Sequence, residues 1–171
     1  MKTFVLSYKE SSKYLYEFHQ SAQDSYLNLY TDRKKDATYI WLFDEQTIVG
    51  FLSYIINEIL DSTKAFIYVV KVYILKKFRG NNLSHILFNK ISQIEDEKRK
   101  LDINVITLVA ANKQLEDKLY RKIGFKELIN ESLLELYSKI IRTQDPIMYK
   151  LKKPEKFSIS DEELEFYGAR Q

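Results

Sequence analysis

The stretch Val72-Tyr73-Ile74-Leu75-Lys76-Lys77-Phe78-Arg79-Gly80-Asn81-Asn82-Leu83-Ser84 decides how this chain is read. β-Branched and aromatic residues, which suit a strand, run into Lys76 and Lys77. Gly80-Asn81-Asn82 is turn chemistry. From Leu83 onward, Leu83, Ile86, Leu87, Phe88, Ile91 and Ile94 follow helical spacing. A strand that passes through a tight turn into a helix makes an anion site. The first helical N–H groups have no intrahelical acceptor, and the positive end of the helix dipole lies behind them. Turn amides extend that cradle. A phosphate or pyrophosphate is the natural guest. A second run further on, Leu119-Tyr120-Arg121-Lys122-Ile123-Gly124-Phe125, adds to the reading.

Composition bounds what surrounds this stretch. A chain of 171 residues supports one domain with a real core. It is 45% hydrophobic and 30% charged, a globular balance. With no Cys, disulfides, Cys-rich metal sites and a Cys nucleophile are excluded, and a reducing cytoplasm is the expected compartment. The two His are far apart, so no metal-ligand spacing exists and no metal is expected. No run approaches the ~20 apolar residues of a membrane span, and the apolar stretch in Met1–Lys9 is too short for a signal peptide. The net charge of +3 is spread through mixed-sign clusters such as Glu95–Lys100, which read as solvated surface rather than a nucleic-acid face.

The remaining elements fall on either side. Lys2–Tyr8 reads as a strand. Ser11 or Ser12 caps a helix reaching about Tyr30, with Tyr14, Leu15, Phe18, Ala22, Tyr26 and Leu29 on its apolar face. Thr38–Phe43 and Thr47–Ile56 form a hairpin around Asp44-Glu45-Gln46, and Lys64–Leu75 is a long buried strand. The helix from Leu83 is expected to reach about Lys100. Asn104–Ala110 is a strand, and Leu115, Leu119 and Ile123 mark a helix that Gly124 ends. Phe125–Leu128 is a short strand, Asn130–Ile141 has helical spacing, and Ile147–Lys152 is the last strand. Ser160-Asp161-Glu162-Glu163 is a capping-box pattern for a short tail helix reaching Gly168. The expected organisation is one domain over residues 1–153 and a terminal tail over 154–171. The fold class is α/β (α+β): a mixed, mostly antiparallel central sheet with helices on both faces.

This order, with its two motifs, resembles the GNAT superfamily of N-acyltransferases over roughly residues 2 to 152. In that family a central strand ends in a hydrophobic-aromatic-Val run, followed by [QR]-x-x-G-x-[GA] and a helix. Val72-Tyr73-Ile74 and Arg79-Gly80-Asn81-Asn82-Leu83-Ser84 stand in those places. Asn82 and Ser84 replace the usual Gly and Gly/Ala. Asn tolerates positive φ better than other non-Gly residues, and Ser is small. Asn112 and Tyr120-Arg121-Lys122-Ile123-Gly124-Phe125 match the second motif, with Asn112 eight residues before Tyr120, one more than the family spacing. The hairpin ending Val49-Gly50 resembles the family's early hairpin.

The resemblance implies acetyl-CoA as cosubstrate, with its pyrophosphate on the amides of residues 79 to 84. The pantetheine arm would lie between the strands ending near Ile74 and Val109. Backbone groups of Val72, Tyr73 and Ile74 would align the thioester, and strand amides near Tyr73 and Ile74 would face the oxyanion. Asn112 joins the cofactor set, and Tyr120 is the implied general acid for the CoA thiolate. Some relatives carry a Glu six residues before the place of Ile74; here Tyr68 stands there, which leaves either water linked to a carboxylate such as Glu58 or Asp61, or an amine that arrives neutral and needs no base. His85 at the helix start either touches phosphate or faces solvent. His19 and the N-terminal aromatics either form core or wall the acceptor site. In the segment 129–146, Leu134, Tyr137 and Ile141 either close the acceptor site, bury a homodimer contact, or simply pack a surface helix.

The implied activity is acetyl transfer to a primary amine of a small molecule or protein; which amine is not legible. A silent acyl-CoA-binding or regulatory module with the same fold is the alternative. A third reading, nucleic-acid binding, rests only on mild basicity and aromatic content, and steep salt dependence would be its signature.

Overall fold

The computed structural model describes residues 1–22 and 36–152. Tyr26, Leu29, Tyr30 and the tail 154–171, with its expected short helix, lie outside the described residues. The order is β1 (Lys2–Ser7), α1 (Tyr8–Ala22), β2 (Thr38–Asp44), β3 (Thr47–Glu58), β4 (Lys64–Ile74), α2 (Leu83–Ile91), β5 (Asp102–Leu108), a helical segment over 113–123, β6 (Lys126–Glu127), α5 (Glu131–Ile141) and β7 (Met148–Leu151). Within that segment α3 is Lys113–Leu115, a π turn covers Glu116–Tyr120, and α4 is Arg121–Ile123. The strands form a seven-stranded mixed sheet in the order β1-β2-β3-β4-β5-β7-β6. β4 and β5 are parallel, while β1–β2, β2–β3, β5–β7 and β6–β7 are antiparallel. The mixed, mostly antiparallel sheet read from the sequence is therefore present.

Two compact units emerge, each described by itself. The first comprises Met1–Ile55 and Val70–Ile91. The alternation of β2 explains its layering. Tyr39, Trp41 and Phe43 face α1 and pack with Leu15, Phe18 and Phe51. Ile40 and Leu42 point to the other face and are fully buried, and α2 buries Leu87, Phe88 and Ile91. The N-terminus of α1 corrects the reading of Ser11 or Ser12 as cap. Ser7 Oγ accepts the Glu10 N–H at 3.2 Å, and the Ser7 N–H donates to Glu10 Oε2 at 2.8 Å. This is a capping box that starts the helix at Tyr8. Ser11 lies inside the helix, fully buried, where its Oγ accepts the Trp41 indole N–H at 2.9 Å.

The second unit comprises Ile56–Val69 and Ser92–Gln171, described to residue 152. Phe66 on β4, Val105 on β5 and Tyr149 on β7 pack with Leu133, Tyr137 and Ile141 of α5. α5 follows the sequence reading closely. Asn130 Oδ1 accepts the Leu133 N–H at 3.0 Å and caps it, and Arg142 ends it with φ 62°. Tyr137 is fully buried with its ring 4.2 Å from that of Phe66, and Ile141 is buried too. Of the three readings of this helix, packing against its own sheet is the one observed for Tyr137 and Ile141; neither is on a surface.

α2 ends at Ile91, well short of the expected Lys100. Asp96 Oδ1 accepts the Arg99 N–H at 3.0 Å, and Lys100 takes φ 53°. An Asp that captures a nearby backbone donor competes with helix, and here it closes a turn.

Candidate active site

β4 reaches the turn under close constraint. A Cβ on Gly50 of β3 would lie 2.4 Å from Tyr73 O and 2.6 Å from Ile74 Cδ1. Only glycine lets the two backbones approach so closely. The Leu75 N–H donates to Val49 O at 2.9 Å, fixing the strand end. The Tyr73 ring stands edge-on to Phe18 at 5.5 Å, and the Arg79 guanidinium lies 5.2 Å from its centroid. Arg79 Nε also donates to Ile74 O at 2.9 Å. Arg79 thus clips the end of the strand.

A single 3-10 turn at Lys76–Phe78, absent from the sequence reading, follows β4. It takes up the Arg79 amide, which donates to Lys76 O at 3.2 Å. Arg79 therefore does not present its amide with those that follow, and the run of amides expected over 79–84 is left with those from Gly80 onward. Gly80 has φ 86°, and Asn82, in the place of a glycine, has φ 54°. The tolerance expected of Asn82 is what the backbone uses. A Cβ on Gly80 would meet nothing within 4 Å, so the turn is open above it. Asn81 Nδ2 closes the turn on Phe78 O at 3.2 Å. Asn82 O accepts the His85 N–H at 3.1 Å, so the first-turn amides of Leu83 and Ser84 are those without an intrahelical acceptor. Lys76, Lys77 and Arg79 lead into this turn, and the sequence has no carboxylate between Leu75 and Ser84, which favours an anion. His85 is half-buried.

The segment over 113–123 is built differently. Asn112 Oδ1 accepts the Leu115 N–H at 2.9 Å and caps the helix. The π turn comes next, where the Arg121 N–H reaches back to Glu116 O. Gly124, at φ 104°, ends the segment, and the Phe125 N–H donates to Tyr120 O at 3.0 Å. Lys150 Nζ donates to Ile123 O at 2.8 Å, a cation on the negative end of the helix. Tyr120 is 9% exposed, with its ring edge-on to Phe125 at 6.2 Å. Burial pushes its phenol pKa up. The expected stripe Leu115, Leu119, Ile123 is only partly buried: Leu115 is exposed and Leu119 half-buried, while Ile123 is buried together with Tyr120. The π turn is the reason, since it shifts the register between the two halves.

No base emerges from the carboxylates named in the sequence. Glu58 is 3.2 Å from the Arg99 guanidinium, and Asp61 sits at a turn with φ 57°. Tyr68 is half-buried in the second core cluster. Lys71, which the sequence reading passed over, is half-buried on β4, and burial lowers its pKa. Its signal was a lone Lys in an apolar strand. In α1, Tyr14, Leu15 and Phe18 pack as core, whereas Tyr16 is exposed and His19 is half-buried. A cavity of about 180 Å³ in the first unit is lined by Glu17, Phe18, Gln46, Ile48, Leu75 and Lys77, among others. Another of about 290 Å³ in the second touches Ala110, Asn112, Lys113, Glu116, Glu127 and Met148. Among the described residues no group of acidic, His or Cys side chains is placed to hold a metal, and no helix is long and apolar enough to cross a membrane.

A family model described as an acetyltransferase (GNAT) domain matches residues 6–136. Among solved structures, GCN5 of Tetrahymena is similar at 14% identity and a TM-score of 0.62, over 91% of this chain and 98% of that one. A GNAT-family acetyltransferase from Staphylococcus aureus Mu50 is similar at 20% identity and a TM-score of 0.57, over 89% and 100%. The PaiA N-acetyltransferase of Thermoplasma acidophilum, solved in complex with coenzyme A, is similar at 17% identity and a TM-score of 0.51, over 88% and 99%. At these identities the likeness is one of fold. No curated protein matches the chain.

Proposed function

The chain belongs to the GNAT acetyltransferases, and on that premise we propose that it transfers an acetyl group from acetyl-CoA to a primary amine, on a small molecule or a protein, by direct attack. The observation that carries this reading is the turn after β4. Its positive-φ Gly80 and Asn82, its open face and the basic residues of its own sequence suit a pyrophosphate. In this reading the backbone from Gly80 through Asn81, Asn82, Leu83 and Ser84 binds the pyrophosphate, while Arg79 holds the turn to the strand. The backbone of Val72, Tyr73 and Ile74 aligns the thioester. Asn112 holds the start of the helix that carries Tyr120. The proposed compartment is the cytoplasm, where the thioester is at hand.

The neutral amine nitrogen attacks the thioester carbonyl, and a C–N bond forms while the oxygen takes negative charge. Strand amides near Tyr73 and Ile74 stabilise that charge. Collapse breaks the C–S bond and Tyr120 donates its proton to the departing thiolate, while the surplus proton of the acylated nitrogen leaves to solvent and a solvent proton restores the phenol. A phenol near 10 and a thiol near 8.5 put full transfer uphill by about 2 kcal/mol, so Tyr120 acts as a donor to a charge still developing. Burial raises its pKa, so it stays protonated through neutral pH. The alkaline limb of the rate profile is therefore expected beyond the ordinary phenol range, with rate falling as Tyr120 ionises.

Free-thiol release from acetyl-CoA across a panel of amines tests the activity, with Tyr120→Phe as the decisive variant. The variant keeps the ring, so kcat is expected to fall roughly 10²- to 10⁴-fold with acetyl-CoA affinity unchanged. A loss under about threefold, with chemistry rate-limiting, would make water the proton source. Tyr68 in the place of a strand carboxylate favours one other reading, a silent acyl-CoA-binding or regulatory module. That module would bind acetyl-CoA and release no thiol with any amine.

A further inference from the structure

We infer that Glu116 is a positioning residue for Tyr120, acting by holding the π turn that carries the phenol to its buried place. The inference rests on the proposed role of Tyr120 for its catalytic meaning, but its structural content stands separately.

Asn112 and Tyr120 are eight residues apart. In a continuous α-helix each residue adds ~100° about the axis, so one residue more or fewer turns a side chain to another face. A π turn closes its backbone bond five residues back rather than four, and so absorbs one residue. Here that bond joins the Arg121 N–H to Glu116 O. The surplus residue between Asn112 and Tyr120 is thereby taken up within Glu116–Tyr120. Without the π turn, Tyr120 and Ile123, the buried residues of the second half, would both be turned by ~100° toward the exposed side.

The side chains report the same register. Arg121 Nη2 donates to Glu116 Oε1, a pair five residues apart. In an α-helix such residues point ~140° apart and do not meet; ion pairs form at three and four. Glu116 and Arg121 are therefore linked twice, by backbone and by side chain, at the spacing of a π turn. Around this pair Lys113 Nζ lies 3.0 Å from Glu116 Oε1 and 3.4 Å from Asp117 Oδ1, and Arg121 Nε lies 3.3 Å from Asp117 Oδ1. Glu116 is the hub, with its side chain 19% exposed against 51% for Asp117. The cations around it hold its carboxyl below the usual carboxylate range.

Glu116→Ala removes the hub and keeps a good helix former. It is expected to lower kcat by on the order of ten- to a hundredfold with KM for acetyl-CoA unchanged. The phenol of Tyr120, followed by ¹³Cζ-tyrosine NMR and assigned with Tyr120→Phe, should titrate lower than in the parent chain, as an exposed phenol does. Deleting Lys118 removes the surplus residue, so the segment can close as plain α-helix with Tyr120 on the same face. In that background Glu116→Ala is expected to change kcat less than about twofold, because no π turn remains to hold. An unchanged Tyr120 resonance and kcat in Glu116→Ala would overturn the inference. So would equal losses with and without Lys118. If the resonance moves while Tyr120→Phe keeps full activity, Glu116 positions Tyr120 as inferred and the general-acid reading fails.

Discussion

The turn after β4 and the helical segment that ends at Gly124 carry the two halves of the proposed chemistry, and they are specified in different ways. The turn is a backbone object. Its features are two positive φ values, first-turn amides and a strand end fixed by a glycine contact. It tolerates Asn82 and Ser84 where glycine or alanine is usual, because a backbone cradle asks only that side chains keep clear. The helical segment is a side-chain object. An Asn cap, an ion-paired π turn and a lysine on its last carbonyl decide where one phenol points. Similar sequences can therefore drift at the first site without losing it, whereas the second depends on individual partners.

This contrast yields graded expectations. The largest effect is the loss of kcat in Tyr120→Phe. The same change at Tyr137, on α5 of the same unit, is the control. Tyr137 Oη is buried with no hydrogen-bond partner among the described residues, and burial raises its pKa. Removing an unpaired buried hydroxyl relieves a desolvation penalty of about 1–3 kcal/mol.

On the backbone side, Gly50→Ala places a methyl against Tyr73 O, which cannot swing away. It is expected to destabilise the protein by about 1–3 kcal/mol, read as a lower urea midpoint. An unchanged midpoint would show that the β3–β4 approach at Tyr73 is slack. The smallest effect on activity is that of Tyr137→Phe, which should leave kcat as it is and the urea midpoint equal or higher. A drop in acetyl transfer there would mean that unit's phenols are not separable as proposed.

Legibility followed the same division. The strand–turn–helix was readable from Val72 to Ser84 because β-branching, Gly/Asn chemistry and helical spacing are local signals. Gly124 as terminator and Asn130–Ile141 as a helix were readable for the same reason. The length of α2 was not, because Asp96 has a competing turn whose partner, the Arg99 amide, is unmarked in sequence. The start of α1 has competing signals: Ser11 and Ser12 are as good cap residues as Ser7, and only Ser7-Tyr8-Lys9-Glu10 also spells the capping box that forms. Ser11 instead serves Trp41, a contact thirty residues away that no local pattern announces. The one-residue surplus before Tyr120 was visible as a number. Its resolution as a π turn was not, since Leu115, Leu119 and Ile123 spell an equally good α stripe. Lys71 has no local signal beyond being a lone cation in an apolar strand, and strand alternation alone does not set it apart.

If the turn over Gly80–Ser84 receives the pyrophosphate of acetyl-CoA, calorimetric titration should give saturable heat with acetyl-CoA and a raised melting temperature at saturation, with far smaller effects from ATP and NAD. Both signals should be lost in a folded Ser84→Trp variant, whose indole would occupy the phosphate approach. No heat from the parent protein at millimolar acetyl-CoA, or undiminished binding by folded Ser84→Trp, would contradict that placement.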